Sequence, residues 1–196
     1  MDGEHGLRIG VLALQGDVSE HVSSFEAALD EQPGNHAPVV SVRHGVHLEG
    51  LDGLAVPGGE STTISRLIEK NRMRRPLLEF DGGVFATCAG MVLAASEVDD
   101  PRVQPLGLVE MTVTRNAFGR QRESFERDLV VTRLDTPFHA VFIRAPIATR
   151  VGRGATALAT LDGGAVAVRQ GRHLALSFHP ELGHDLRLHH LFLDGL

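Results

Sequence analysis

Residues 83–91 read GVFATCAGM, an apolar run that passes through a cysteine into small residues. A short continuous apolar run is typical of a strand that is buried on both faces of a sheet. We therefore predict a strand at Gly83–Thr87 and a helix that begins near Ala89, with Cys88 at the turn between them. Strands that lead directly into helices are the building units of a parallel sheet covered by helices.

The rest of the first half repeats this alternation. Apolar runs predict further strands at Leu7–Leu14, Val39–Val42 and Gly53–Val56. One helical stripe follows the first strand, and a second helix is predicted from about Ser61. The stripe consists of Val18, Val22, Phe25 and Leu29. Asp17, with Glu20 three residues later, resembles a capping box at the start of the first helix.

The second half is mostly strand-like and ends in a helix predicted at His184–Leu193. The predicted strands are Leu108–Thr114, Leu129–Thr132, Ala155–Leu161, Ala165–Arg169 and His173–Phe178. Repeats, low-complexity tracts and long linkers are absent from the sequence, so we predict a single domain over residues 1–196. The polar residues 1–6 are expected to form a flexible tail. The fold class is α/β, a mostly parallel central sheet with an antiparallel extension.

Composition narrows the possible functions. The chain has 196 residues, of which 42% are hydrophobic and 22% charged, as in ordinary globular proteins. Its formal net charge of −6 argues against non-specific nucleic-acid binding. Apolar runs near the roughly 18 residues that span a bilayer are absent, and so is a secretory signal. A single cysteine excludes an internal disulfide and a multi-cysteine zinc site, and we expect a cytoplasmic protein.

Cys88 is a candidate nucleophile. A strand that turns sharply into a helix exposes the turn residue above the carboxyl edge of the sheet and requires small neighbours, here Ala86 and Gly90. Free N–H groups at the start of the helix favour a thiolate and a developing oxyanion. Taken alone, however, a cysteine after an apolar strand is more typical of a buried core thiol, so a partner base is required for the catalytic interpretation.

His179 and Glu181 supply that base and its orienting carboxylate. The apolar run Leu174–Phe178 delivers His179-Pro180-Glu181 at its end. Residues two apart on an extended chain share a side, so we expect both side chains to project together. A carboxylate beside an imidazole sets the tautomer of the ring and stabilises the imidazolium. Most of the other histidines are expected to be surface or capping residues.

With these residues in view, the sequence resembles the class I, or triad, glutamine amidotransferases. Within them it is most similar to the PdxT/SNO family, the glutaminase subunits of pyridoxal 5′-phosphate synthase. The similarity extends from about Arg8 to Phe192 and is most specific in the PGGEST and RNAFGRQ stretches. The motifs are Leu14-Gln15-Gly16-Asp17, Pro57-Gly58-Gly59-Glu60-Ser61-Thr62-Thr63, Thr87-Cys88-Ala89-Gly90-Met91, Arg115-Asn116-Ala117-Phe118-Gly119-Arg120-Gln121, Phe142-Ile143-Arg144-Ala145-Pro146 and Phe178-His179-Pro180-Glu181.

This resemblance implies a three-layer, flavodoxin-like fold and glutamine hydrolysis through a thioester on Cys88. The ammonia would pass to a separate barrel-shaped synthase subunit in a large hetero-oligomer, with no cofactor or metal in this chain. The expected substrate contacts are Gly59, Glu60, Ser61, Arg115, Ile143 and Arg144. The Gly59 and Ala89 backbone amides are the expected oxyanion donors, since a Pro-Gly-Gly turn allows close backbone approach to a ligand.

Two alternatives remain at this point. One is a class I glutaminase that serves another synthase, such as one in histidine biosynthesis; the RNAFGRQ stretch favours the vitamin B6 branch. The other is a non-catalytic relative with an elbow cysteine, in which His179 and Glu181 have no functional role. One departure from the family is Ala86, where glycine is usual, and one methyl group is expected to tighten the elbow without abolishing it.

Overall fold

The computed structural model describes residues 6–32, 38–118 and 123–196. The expected flexible tail therefore lies outside the described residues except for Gly6, as do the last three residues of the RNAFGRQ stretch. The strands are β1 (Ile9–Leu12), β2 (Val40–Val42), β3 (Gly53–Val56), β4 (Gly83–Thr87), β5 (Ala95–Val98), β6 (Val109–Thr114), β7 (Ser124–Leu129), β8 (Phe138–Ile143), β9 (Ile147–Val151), β10 (Thr156–Leu161), β11 (Gly164–Gln170) and β12 (His173–Leu176). The helices are α1 (Val18–Asp30), α2 (Ser61–Lys70), α3 (Arg74–Glu79), α4 (Ala89–Ala94) and α5 (Arg187–Leu193).

The central sheet has the order β2-β1-β3-β4-β12-β11-β9-β6-β5, and β10 pairs with β11. From β2 to β12 all neighbours are parallel. Beyond β12 the pairings of β11, β10, β9 and β6 are antiparallel, and β5 lies parallel to β6. β7 and β8 form a separate antiparallel pair. This arrangement confirms the predicted parallel sheet with an antiparallel extension.

Helices cover both faces of the parallel part. Along β4, Val84 and Ala86 belong to a core shared with α2 and α4, whereas Phe85 belongs to a core shared with α1 and α5. Phe85 packs against Phe25 of α1 and Phe192 of α5, with ring centroids 5.2 and 5.4 Å apart. The three predicted layers are therefore present. In the described parts of the chain, no helix has the length and apolar character needed to cross a membrane.

Several predicted elements were wrong or missing. The strand predicted at Leu129–Thr132 instead covers Ser124–Leu129, where all but the last residue are exposed or half-buried. An exposed strand lacks the apolar run on which the prediction depended. The last helix begins at Arg187 and not at His184. Asp185 Oδ1 accepts the Arg187 N–H at 3.1 Å, so the chain turns before entering the helix. The sequence also did not predict β5, β8, β9 or α3.

The predicted capping box of α1 is also wrong. Asp17 is the residue that precedes the helix, but its side chain makes no capping hydrogen bond. Glu20 accepts a hydrogen bond from the neighbouring Ser19 hydroxyl instead of reaching back. The Asp17 carboxylate turns toward His179, where its Oδ2 lies 3.4 Å from Nδ1. An electrostatic contact with the imidazole thus replaces the local capping contact.

Candidate active site

The site lies where β3, β4 and β12 end together. Val56 pairs with Ala86, and Leu176 pairs with Thr87, so the segments that follow the three strands emerge side by side. Crevices beyond the carboxyl ends of parallel strands are the usual ligand sites of open α/β sheets. An open cavity of about 370 Å³ is found here. It is lined by Gln15, Asp17, Gly59, Glu60, Ser61, Cys88, Ala89, Val92, Arg115, Asn116, Ile143, Arg144, Pro146 and His179.

Cys88 occupies a strained turn between β4 and α4. Its backbone has φ +48° and ψ −105°, a region that non-glycine residues rarely adopt. Its N–H donates to the Leu176 carbonyl at 2.8 Å, which ties the turn to β12. A side chain at Gly90 would place Cβ 2.0 Å from the Val56 carbonyl oxygen, so the turn requires a glycine there. The thiol is buried but lines the cavity, with Sγ 3.7 Å from the Ile143 carbonyl oxygen.

His179 and Glu181 meet in the loop after β12. His179 Nδ1 lies 2.7 Å from Glu181 Oε1, and the two side chains are 5% and 0% exposed. The His179 N–H donates to the Val141 carbonyl at 2.9 Å, so β8 holds the backbone of the loop. The expected extended geometry is wrong, because Pro180–Leu182 forms a 3₁₀ turn. The contact therefore arises from a tight turn rather than from two residues on one side of a strand.

The hydrogen bonds and charges around His179 and Glu181 have a larger effect on their pKa values than burial does. Burial lowers the pKa of His179, but hydrogen bonds to Cys88 and Glu181 and the charges of those two groups raise it above its usual value. Burial raises the pKa of Glu181, yet its contacts with His179 and the nearby His21 bring that pKa below its usual value. The geometry thus favours an ionised carboxylate and a protonated imidazole next to the cysteine.

The glycine-rich loop is packed tightly against His179. A Cβ on Gly58 would lie 2.4 Å from His179 Cε1, and one on Gly16 would lie 1.8 Å from the Gly58 carbonyl oxygen. That carbonyl accepts the Asp17 N–H at 3.3 Å. Gly59 follows with φ +145°, a conformation that side chains disfavour. Two glycine turns therefore interlock and bring the Gly59 backbone to the cavity.

All of the expected substrate-contact residues line the same cavity. Arg115 Nη2 lies 2.9 Å from Glu60 Oε1, and its Nη1 contacts Asp100. Glu60 also accepts the Thr62 N–H at 3.0 Å at the start of α2. Burial raises the pKa of Glu60, but the hydrogen bonds from Thr62 and the charge of Arg115 shift it below its usual value. Asp100, which shares the Arg115 guanidinium, was not singled out from the sequence.

The remaining predicted residues surround this group. Ser61 is buried at the first turn of α2, and Ala89 opens α4, where its N–H lacks an intrahelical partner. Ile143 and Arg144 also border the cavity, and both are exposed. All the candidate residues except Glu181 therefore line the cavity, and Glu181 lies behind His179.

Two residues beside the pair were not assigned to the catalytic group from the sequence. One is Asp17, whose carboxylate faces His179. The other is His21, which is 0% exposed and lies with Nε2 3.5 Å from Glu181 Oε1. The feature that could have identified His21 is its position on the buried face of α1, four residues before Phe25. Asp17, His179 and Glu181 also offer three possible metal-ligand atoms within 4.8 Å of one another.

The site combines a cysteine at a strand-to-helix turn with a buried histidine–glutamate pair, on a sheet that has helices on both faces. This combination is typical of the triad class of amidotransferases. The comparisons with known proteins identify the family. Residues 11–196 match the SNO glutamine amidotransferase family, and the chain belongs to it.

Individual relatives agree with this assignment. The chain is 65% identical to a protein of Methanosphaerula palustris named pyridoxal 5′-phosphate synthase subunit PdxT, over 97% of both chains. It is 61% identical to the protein of the same name from Methanoculleus marisnigri, over 97% of this chain and 98% of the other. A crystal structure of a glutamine amidotransferase, 46% identical, superposes with a TM-score of 0.86 over 95% of this chain and 97% of the other.

Proposed function

We propose that this chain hydrolyses L-glutamine to L-glutamate and ammonia through a thioester on Cys88 and supplies the ammonia to pyridoxal 5′-phosphate synthase. The observation that carries the proposal is the 2.7 Å contact between His179 Nδ1 and Glu181 Oε1, beside an elbow cysteine at the cavity. A buried carboxylate that orients an imidazole toward a thiol is the arrangement that activates a cysteine nucleophile.

In the first half of the reaction, the Cys88 thiolate attacks the γ-carbonyl carbon of glutamine. The oxyanion that forms accepts hydrogen bonds from the Gly59 and Ala89 N–H groups. His179, held as an imidazolium by Glu181, donates its Nε2 proton to the departing nitrogen. The C–N bond breaks, ammonia leaves, and the γ-acyl group remains on the sulfur.

In the second half, neutral His179 accepts a proton from water, which attacks the thioester carbon. The C–S bond breaks, the new γ-carboxyl group loses its remaining proton to solvent as glutamate leaves, and the thiolate–imidazolium pair is restored. Each proton that leaves the imidazole in the first half therefore returns in the second half. This chain's own residues account for the whole cycle, so the proposal requires no cofactor and no metal.

The cavity suits the two charged α-groups of free glutamine. Glu60 offers a carboxylate to the α-ammonium group, and Arg115 offers a planar guanidinium to the α-carboxylate. Gly59 and Ser61 line the amide end of the substrate near Cys88. Ile143 and Arg144 close the opposite wall.

The partner in this proposal is the barrel-shaped synthase subunit, in a large hetero-oligomer located in the cytoplasm. The names of the relatives, which describe a subunit of pyridoxal 5′-phosphate synthase, support this assignment. The chain acts as one glutaminase domain over residues 1–196, and strands from both halves join one sheet in support of this.

The test is ammonia release from glutamine, measured with and without added synthase subunit. We expect a low rate for the isolated chain and stimulation on addition of the subunit. Cys88→Ala and His179→Asn are expected to abolish ammonia release while leaving the circular dichroism spectrum unchanged. Wild-type ammonia release by either variant would contradict the assignment of the triad. If the synthase subunit did not stimulate ammonia release, the proposed partner would be contradicted.

A further inference from the structure

We propose that His21 is a positioning residue that, together with Thr87, couples the His179–Glu181 pair to the glycine-rich loop that carries the Gly59 amide. This inference rests on the proposed function, because it assigns His21 to the machinery that activates Cys88. His21 is not among the residues that line the cavity, and its side chain acts through Glu181 and Thr87.

The contacts of His21 are short and fully buried. Its Nε2 lies 2.9 Å from Thr87 Oγ1 and 3.5 Å from Glu181 Oε1. His21 and Thr87 are both 0% exposed. Because α1 carries His21 and β4 carries Thr87, these two contacts join the helix, the strand that leads into Cys88, and the carboxylate behind His179.

The position of Glu181 determines which nitrogen of His21 carries the proton. Burial lowers the pKa of His21 below its usual value, although Glu181 opposes that effect, so the ring is neutral and has one N–H. A proton on Nε2 points toward two acceptors, the Thr87 hydroxyl oxygen and the Glu181 carboxylate. A proton on Nδ1 would be buried without an acceptor among the described residues and would leave the Nε2 lone pair facing a carboxylate. The Nε2–H tautomer is therefore favoured.

Thr87 extends the contact to the glycine-rich loop. Its Oγ1 accepts the Gly58 N–H at 3.1 Å, one residue before Gly59. Movement of His21 would therefore disturb two parts of the site together, namely the carboxylate that orients His179 and the backbone that presents the Gly59 amide. An ordinary buried histidine lacks this double connection.

The charged groups around His21 explain why a neutral ring suits this position. Glu181 and His179 face it from the loop after β12, Asp17 and Glu20 lie on its own helix or just before it, and His189 faces it from α5. A second positive charge here would compete with the His179 imidazolium for Glu181. A neutral donor supports the ionised carboxylate without that competition.

His189 provides a matched control for packing alone. It is also 0% exposed, and within the described residues neither of its ring nitrogens has a hydrogen-bond partner. Its ring stacks on Phe85 at 5.0 Å. Replacing His189 by leucine therefore tests the loss of a buried imidazole on the same side of the sheet without removing a donor to Glu181 or Thr87.

The experiment compares His21→Leu, His21→Gln and His189→Leu, each in complex with the synthase subunit. Glutamine can place an N–H near the position of the imidazole Nε2, whereas leucine cannot. Thr87→Val and Thr87→Ser test the hydroxyl in the same way. The readouts are thermal unfolding, the pH profile of kcat/KM, and the rate at which iodoacetamide alkylates the protein. Since this chain has one cysteine, alkylation that is followed on this chain alone, by mass spectrometry of its separated subunit, reports Cys88.

We expect His21→Leu and Thr87→Val to lower kcat/KM about tenfold, mainly through kcat, as for the loss of one buried hydrogen bond. The acidic limb of the pH profile and the pH midpoint of alkylation should both move upward, because a less well held Glu181 stabilises the imidazolium–thiolate pair less. His21→Gln and Thr87→Ser should retain most of the wild-type behaviour, and His189→Leu should change thermal stability only.

Wild-type pH profiles in His21→Leu, or an equal shift in His189→Leu, would overturn the proposal. If His21→Leu does not fold, Thr87→Val provides the test instead. A wild-type pH profile in Thr87→Val would also overturn the proposal. Failure of the proposed function is a different result: the wild type would release no ammonia from glutamine. The alkylation profiles would still show whether His21 controls the state of Cys88.

Discussion

His179 Nδ1 faces Glu181 Oε1 at 2.7 Å within a single 3₁₀ turn, with both side chains buried. Because Nδ1 is directed at the carboxylate, Nε2 is the nitrogen left for Cys88 and for the substrate. The turn is anchored on a second sheet through the His179 N–H and the Val141 carbonyl. The orientation of the imidazole therefore depends on the Glu181 carboxylate and one backbone hydrogen bond, and the Asp17 carboxylate faces the same nitrogen at 3.4 Å.

Glu181→Gln should lower kcat/KM by about 10²–10⁴-fold, in the range seen when a triad carboxylate is neutralised. The Glu181 charge raises the pKa of His179. Its removal lowers that pKa, so the basic limb of the pH profile should move to lower pH and the acidic limb to higher pH. Glu20→Gln, a change at an exposed carboxylate on α1, is the control and should leave both limbs in place. An unaltered profile in Glu181→Gln would contradict its orienting role.

Cys88→Gly should be more stable than Cys88→Ala by about 1 kcal/mol, because glycine relieves a strained backbone that costs on the order of 1–3 kcal/mol. The φ of +48° and ψ of −105° at Cys88 are the source of this strain. Urea unfolding of the two inactive variants measures the difference. Equal or lower stability of the glycine variant would show that the elbow stores no strain.

Gly16→Ala should reduce kcat/KM by at least tenfold, since its Cβ would lie 1.8 Å from the Gly58 carbonyl and displace the loop that carries Gly59. Gly163→Ala is the matched control, because Gly163 also has positive φ but has open space around it. Both variants should lose about 1 kcal/mol of stability from the backbone alone. Only Gly16→Ala should lose activity. Equal kcat/KM values for Gly16→Ala and Gly163→Ala in steady-state assays would show that the packing of Gly16 against Gly58 does not position the Gly59 amide.

Arg115→Ala should raise the KM for glutamine about tenfold or more, as expected for the loss of a charge-assisted hydrogen bond, with a smaller effect on kcat. Arg102→Ala removes the same charge from the other partner of Asp100, at a side chain that is 73% exposed and does not line the cavity. Its KM should stay near that of the wild type. If both variants raise KM equally, the effect comes from overall charge and not from contact with substrate.

The parallel half of the fold and the grouping of Cys88 with His179 and Glu181 could be predicted because their signals are local. Gly83–Thr87 and Gly53–Val56 are buried on both faces, so continuous apolar runs mark them at the observed bounds. The elbow requires small residues next to Cys88, and Gly90 meets that requirement within two positions. Parallel strands end at one edge, which is why two distant stretches could be expected to meet there.

Other features depend on contacts that no local pattern encodes. β7 exposes Glu126, Arg127 and Asp128, so it lacks an apolar run and is recognisable only through its pairing with β8. Asp17 satisfies a capping rule in sequence but is drawn to His179, which is distant along the chain. His21 and Asp100 gain their significance only from their partners, Glu181 and Arg115. Such long-range partners cannot be read from spacing alone.

The central claim is that Cys88 carries the glutamyl group, and the most direct measurement is acid quenching during turnover followed by peptide mass spectrometry. With the synthase subunit present, we predict a hydroxylamine-sensitive glutamyl adduct on the peptide that contains Cys88, and no adduct in Cys88→Ala. Steady ammonia release without any adduct, together with ammonia release by Cys88→Ala at the wild-type rate, would contradict the thioester mechanism.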